Sequence, residues 1–166
     1  MSISNKWLMT KQQYFIDFFT IPLLMFIGLF LAAFVSYQFV IGVMLWSFLE
    51  YCIHRFIFHK VYRREHWLHH QDVREYIGIQ GWKIFLAYST GLVAAFFLGL
   101  TSLFIGFSFG YMCYISMHYF MHRPETLPAH YMIALIRNHN LHHEKGIEKN
   151  FGVTSPLWDY IFRTKV

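Results

Sequence analysis

Two long stretches without a charged residue constrain this chain more than any other feature. From Phe18 to Leu49, and again from Ile84 to His122 with histidine counted as neutral, no lysine, arginine, aspartate or glutamate occurs. One membrane crossing takes about 20 apolar residues. Each stretch is therefore expected to supply two crossings, the first continuing to Phe58 with a turn near Ser36-Tyr37-Gln38, the second turning between Gly99 and Ser102. Apolar residues make up 56% of the chain and charged residues 14%, against roughly 45–50% and 25% in soluble domains. A water-soluble helical core is therefore the poorer explanation. The expected fold is all-α, an integral-membrane bundle of four transmembrane helices in two hairpins, forming one domain over residues 1–166.

Residues 1–17, with Lys6, Lys11 and Asp17 among aromatics, read as an interfacial segment. They do not read as a cleaved leader, because the apolar run that follows is too long and no small-residue cleavage site appears. Residues 18–58 form the first hairpin, 59–83 a polar cytosolic segment, 84–122 the second hairpin and 123–166 a cytosolic C-terminal segment. Gly78 and Gly81 interrupt helix in the middle segment. Pro128 opens a helix running through His143, Asn150-Phe151-Gly152 makes a loop, and residues 157–162 (LWDYIF) make a short amphipathic helix. Two hairpins return the chain each time to its starting side. None of the fourteen lysines and arginines lies in either hairpin turn, so by the positive-inside tendency the shared face is cytoplasmic. No nucleic acid is expected as a partner.

Ten of the eleven histidines fall into four clusters on that same face: His54 and His59; His66, His69 and His70; His118 and His122; His139, His142 and His143. Positions i, i+3 and i+4 share a helix face, so three clusters can aim their imidazoles one way. His54 and His59 are five apart and splay by roughly 140° on an ideal helix, so a helix end or a bend must lie between them for both to converge. So many imidazoles in one place repel when protonated and leave bare ring nitrogens when neutral, unless cations take up the lone pairs. Ten donors suit two metal ions with about five ligands each, and imidazole suits iron, zinc, copper and nickel.

His130 projects about 170° from the mean direction of His139, His142 and His143 at about 100° per residue and is expected to be a spectator. Glu50, a carboxylate in an apolar helix one turn before His54, either orients a ligand imidazole or pairs with Arg55 or Arg63. Asp159 is either a similar acceptor or a helix-end surface acid. Cys52 and Cys113 sit in apolar segments without CxxC spacing and suggest neither a disulfide nor a thiolate site.

These clusters, with EYCIHRFIFH (residues 50–59) and FGVTSPLWDYIFRT (residues 151–164), resemble the fatty acid hydroxylase superfamily of integral-membrane dimetal oxygenases. The resemblance runs from about Glu50 to Thr164 and is nearest to fatty acid 2-hydroxylases. The third box, HYFMH, has three residues between its histidines, where carotenoid hydroxylases tend to have four. The resemblance implies that all ten box histidines are ligands and that two iron ions work in the enzyme, with zinc a common occupant after overexpression. It further implies dioxygen as co-substrate and hydroxylation of a fatty acid or lipid acyl chain at the 2-position. Eukaryotic 2-hydroxylases carry a fused haem domain not found in these residues, so a separate reductase or electron-transfer protein is expected. The short loops favour a bacterial inner membrane over the endoplasmic reticulum.

Other functions stay open on the residues alone. Sterol or carotenoid substrates would present a ring at the same depth. A zinc-dependent membrane hydrolase would use bound water, although HExxH is absent and ten histidines exceed the three-ligand catalytic pattern. A metal-binding or transport protein would be expected to hold its ionisable groups nearer the midplane.

Overall fold

Each long uncharged stretch is largely helical and is interrupted once, near its expected turn. The computed structural model describes residues 8–32, 34–123, 125, 132–145 and 148–166, and among these the regular elements are all helical. They are α1 (Lys11–Phe15), α2 (Asp17–Ala32), α3 (Gln38–Cys52), a π-helix (Ile53–Val61), α4 (Arg63–Gln71), α5 (Gly81–Phe97), α6 (Thr101–Met121), α7 (Ile133–Lys145) and α8 (Leu157–Ile161). Pro124, Pro128 and His130 lie outside the described residues.

The first turn occupies the residues just before Gln38 and the second those between Phe97 and Thr101, as expected. The second turn is a complete Schellman arrangement: Leu100 N donates to Ala95 O, Gly99 N donates to Phe96 O, and Gly99 takes a φ of 68° that a side chain would resist. Gly81 does not break a helix but opens α5, three residues ahead of the expected Ile84 start. At the other end Thr10 caps α1 in a reciprocal box with Gln13. Helix therefore extends back to Lys11, into the segment expected to be interfacial.

Among the described residues two helices are long and apolar enough to cross a membrane, Lys11–Ala32 and Gln38–Val61. Gly81–Phe97 is apolar but has 17 residues, about 26 Å at 1.5 Å per residue, the short end of the spanning range. On α2, Phe19, Phe26 and Phe30 are 76%, 71% and 85% exposed. Large rings presented this openly along one helix belong in lipid, not water.

The described chain gathers into two compact units, each interleaved in sequence. One comprises the described residues up to Met44 with Glu75–Met112. Its interior is the stripe Ile21, Leu24 and Gly28 of α2 against Tyr88, Leu92 and Ala95 of α5 and Phe104 and Ile105 of α6. Asp17, buried in this interior, accepts a 2.5 Å hydrogen bond from Tyr111 Oη. Ser102 ties the two turns together, accepting from Ser36 N at 3.2 Å and donating to Phe34 O at 3.3 Å. That bond pair places both turns on one side, as two antiparallel hairpins require. The other unit comprises Leu45–Arg74 and Cys113–Val166 and contains all ten box histidines.

In the first unit α3 and α6 approach backbone to backbone through Gly42 and Gly106. A Cβ on Gly42 would collide with the Leu103 carbonyl and the Phe107 amide, and one on Gly106 with the Phe39 carbonyl. Small residues let apolar helices meet this closely. Gly106→Ala is expected to lower the thermal unfolding midpoint or prevent folding, by at least the roughly 1–3 kcal/mol typical of overpacking. Gly91→Ala is the control, because its Cβ would meet only the Phe104 ring at 3.6 Å. Equal midpoints for both variants would contradict the close crossing.

Candidate metal centre

The pair His54 and His59 shows how local backbone makes the site. No helix end or bend separates them. The π-helix Ile53–Val61 runs through both, with Tyr62 N closing onto Ile57 O at 2.8 Å, five residues back. A turn closed i to i+5 is wider than an α-turn, so residues five apart come to one face, and such turns are rare outside functional sites. The i, i+3 and i+4 clusters need no such device. α4 carries His66, His69 and His70, α7 carries His139, His142 and His143, and the end of α6 brings His118 and, just past it, His122.

The imidazoles divide into two groups. His69, His118, His122, His139 and His143 form one, and His54, His59, His66 and His142 the other, each with its ligand atoms within 4.8 Å of one another. His70 falls in neither by that measure, but its Nε2 lies 3.1 Å from His66 Nε2 and its ring stacks on His143 at 4.2 Å. Neighbouring Nε2 atoms stand 3.1 Å apart for His54 and His66 and for His59 and His142, 3.3 Å for His118 and His122, and 3.0 Å for His122 and His139. Adjacent nitrogens on one cation, each bonded at about 2.1 Å, stand about 3.0–3.4 Å apart.

Proton bookkeeping points the same way. His54 Nδ1 faces the Phe151 carbonyl at 2.6 Å and His142 Nδ1 faces the Lys149 carbonyl at 2.7 Å. A carbonyl only accepts, so each ring carries its proton on Nδ1 and turns a bare Nε2 lone pair inward. His69 Nε2 is buried with no hydrogen-bond partner. Burial, and then the charge of neighbouring imidazoles, holds His66, His69, His139 and His143 well below the ordinary histidine range. Burial pushes His70 and His142 down to about 4. Burial therefore favours the neutral rings, and the inward Nε2 lone pairs of His54 and His142 each call for a donor or a cation. The donor set fits cations.

Aromatic rings pack against the imidazoles. Phe58 stacks on His66 at 5.4 Å, Tyr114 on His118 at 5.7 Å, and Phe151 sets its ring against His54, His59 and His142 at 5.2–5.7 Å. Phe151 is 1% exposed. Cys52 and Cys113 are free thiols, as their spacing suggested.

Glu50 departs from both expected roles, and Asp159 from one of its two. Glu50 reaches neither an imidazole nor Arg55 or Arg63. Its oxygens accept from Val153 N, Thr154 N and Thr154 Oγ1 at 2.6–2.9 Å, bonds that offset the cost of burying a carboxyl group. Asp159 is no surface acid: it is fully buried in α8 and accepts from Phe151 N and Gly152 N, both at 2.8 Å. The carbonyls of Lys149 and Phe151 were not legible as functional groups. The turn residues Asn150 and Gly152 were the one available signal, and Asn150 indeed takes a left-handed φ of 54°.

A sequence model of the family described as fatty acid hydroxylase matches residues 39–164. The ceramide very long chain fatty acid hydroxylase of Saccharomyces cerevisiae is 31% identical over 150 residues, covering 79% of this chain and 38% of its own. The fatty acid 2-hydroxylase of Mus musculus is 30% identical over 149 residues, covering 77% and 39%. The dihydroceramide fatty acyl 2-hydroxylase of Arabidopsis thaliana is 29% identical, covering 75% and 59%. This chain thus spans 38% to 59% of the length of these relatives. A solved structure described as full-length scs7p, with only the hydroxylase domain visible, superimposes with a TM-score of 0.69 at 26% identity, covering 92% of this chain and 66% of that one. Histidine groups able to hold metal, apolar helices for a membrane, and matches over most of the sequence converge: the chain belongs to the fatty acid hydroxylase family.

Proposed function

We propose that this chain is a multi-pass membrane monooxygenase that hydroxylates the acyl chain of a fatty acid or lipid at the 2-position. The observation that carries the reading is the pair of buried and half-buried, carboxylate-free imidazole groups, built from the ends of two apolar helices and from α4 and α7. Relatives described as fatty acid, ceramide and dihydroceramide hydroxylases support the substrate class. α2, α3 with its π-helix, α5 and α6 are the four crossings of this reading, with the histidines at the cytoplasmic face.

His54, His59, His66, His70 and His142 would hold one iron ion, and His69, His118, His122, His139 and His143 the other. Bound there, the metals would supply activation of dioxygen and removal of hydrogen from an unactivated C–H bond. Setting one oxygen atom into C–H and reducing the other to water consumes two electrons and two protons. A separate electron-transfer protein delivers those electrons in this reading.

The chain's own residues would do the rest. Neutral imidazoles hold the metals without placing a proton-accepting carboxylate among them. The Phe58, Tyr114 and Phe151 rings exclude water. The position of attack follows from depth: a tail lying between the crossings presents the carbons nearest its polar head. Drawing a deeper carbon to the site would cost about 0.8 kcal/mol for each CH₂ taken from lipid.

Purified protein is expected to hold two metal ions per chain by elemental analysis. Alanine at any of the ten box histidines should lower that number or destabilise the fold, while His130→Ala should do neither. One metal or none in folded, undepleted protein would contradict the dimetal reading. With iron, a reducing system and labelled dioxygen, one labelled oxygen should appear at carbon 2 of a long-chain acyl substrate. Label drawn from water would favour a hydrolase, and product from ring substrates alone would move the assignment to sterols or carotenoids.

A further inference from the structure

The segment from Lys149 to Thr154 is held on both edges. Along one edge four consecutive backbone amides donate to two buried carboxylates: Phe151 N and Gly152 N to Asp159, and Val153 N and Thr154 N to Glu50. The Thr154 hydroxyl adds a fifth bond, 2.6 Å to Glu50 Oε2. Along the other edge the carbonyls face the metal centre, that of Lys149 taking His142 Nδ1 and that of Phe151 taking His54 Nδ1. Asn138 Nδ2 reaches the Gly152 carbonyl at 3.4 Å. The backbone runs so close to Asp159 that a Cβ on Gly152 would stand 2.9 Å from its Oδ2.

Both carboxylates are almost wholly enclosed, Glu50 at 4% and Asp159 at 0% exposure. Asp159 is also reached by a directed chain of hydroxyls. Arg55 donates to Tyr51 Oη at 2.7 Å, Tyr51 Oη lies 3.0 Å from Thr164 Oγ1, and Thr164 donates to Asp159 Oδ1 at 2.7 Å. His54 and His142 are the rings this anchoring reaches. The buried Nδ1 atoms of His70, beside the same group, and of His139 and His143 in the other have no hydrogen-bond partner.

We propose that Glu50 and Asp159 are positioning residues for one metal of the pair: through the amides of residues 151–154 they hold the two carbonyls that set the tautomer and direction of His54 and His142. The proposal rests on the reading that the two imidazole groups hold metals. It makes the centre asymmetric. The metal beside His54, His59, His66 and His142 depends on residues 149–164, whereas the metal among His69, His118, His122, His139 and His143 does not. Partners that orient a ligand imidazole typically change metal affinity by 10–100-fold, although here they act through an intervening backbone.

The test loads purified full-length protein with iron and follows metal content and release to a chelator in wild type, E50A, E50Q, D159N and T154V. Mössbauer spectra of ⁵⁷Fe-loaded protein distinguish the two metals. E50A and D159N should keep one metal and release the other at least about 10-fold faster than wild type. In D159N an amide N–H would face a backbone N–H, so the clamp opens even though size is unchanged. E50Q should stay near wild type, because its Oε1 can still accept from Val153 and Thr154 and the Thr154 hydroxyl can turn to accept. T154V removes a single hydroxyl bond and keeps every backbone bond, so it reports should the stronger variants fail to fold: the same metal should leave faster, by a smaller factor. Release of both metals at equal rates, or release unchanged in all the variants, overturns the proposal. Wild-type protein that holds fewer than two metals overturns instead the reading on which it rests.

Discussion

Imidazole nitrogens brought within about 3 Å of one another are the interaction the rest of the second unit answers to. Nε2 pairs at 3.0–3.3 Å recur through both groups. A neutral ring offers one donor and one acceptor, and for His54 and His142 the donor is already committed outward to a carbonyl. The inward lone pairs of these two rings then need a donor or a cation, and ten imidazoles converging in this way fit cations. Within the second unit, aromatic rings pack against those imidazoles and the clamped segment directs two of them.

The division of labour between local and distant interactions follows from that demand. A helix can converge residues three and four apart by its own geometry, so α4 and α7 each carry three histidines without special backbone. The 54/59 pair needs the wider π-turn. Ring direction needs something from outside the helix, and carbonyls at Lys149 and Phe151 provide it for two rings. Those carbonyls are only as well placed as their own segment. Its amides in turn are held by Glu50, one turn before His54, and by Asp159 near the chain's end. The second unit is thus tied from α3 to α8 through one short stretch of backbone.

Much of this was legible from residue order. The uncharged stretches Phe18–Leu49 and Ile84–His122 coincide with α2, α3, α5 and α6, each stretch interrupted once near the expected turn. Spacing identified which histidines could share a face. What order could not show was backbone that departs from the α-period or that acts through its own polar groups. Nothing in IHRFIFHKV marks nine residues as a π-helix. Glu50 stood out as a buried acid, yet its partners lie about a hundred residues away on main-chain amides, which have no sequence signature. Gly42 and Gly106 read as ordinary apolar residues until two backbones are seen to touch there.

X-ray absorption at the iron edge of the fully loaded protein tests the central claim most directly, because it reports donor type and number without reference to turnover. The account predicts a first shell of nitrogen and light oxygen at about 2.0–2.2 Å, with outer-shell scattering from about five imidazoles per iron. A shell dominated by carboxylate, with two or fewer imidazoles per iron, would contradict it.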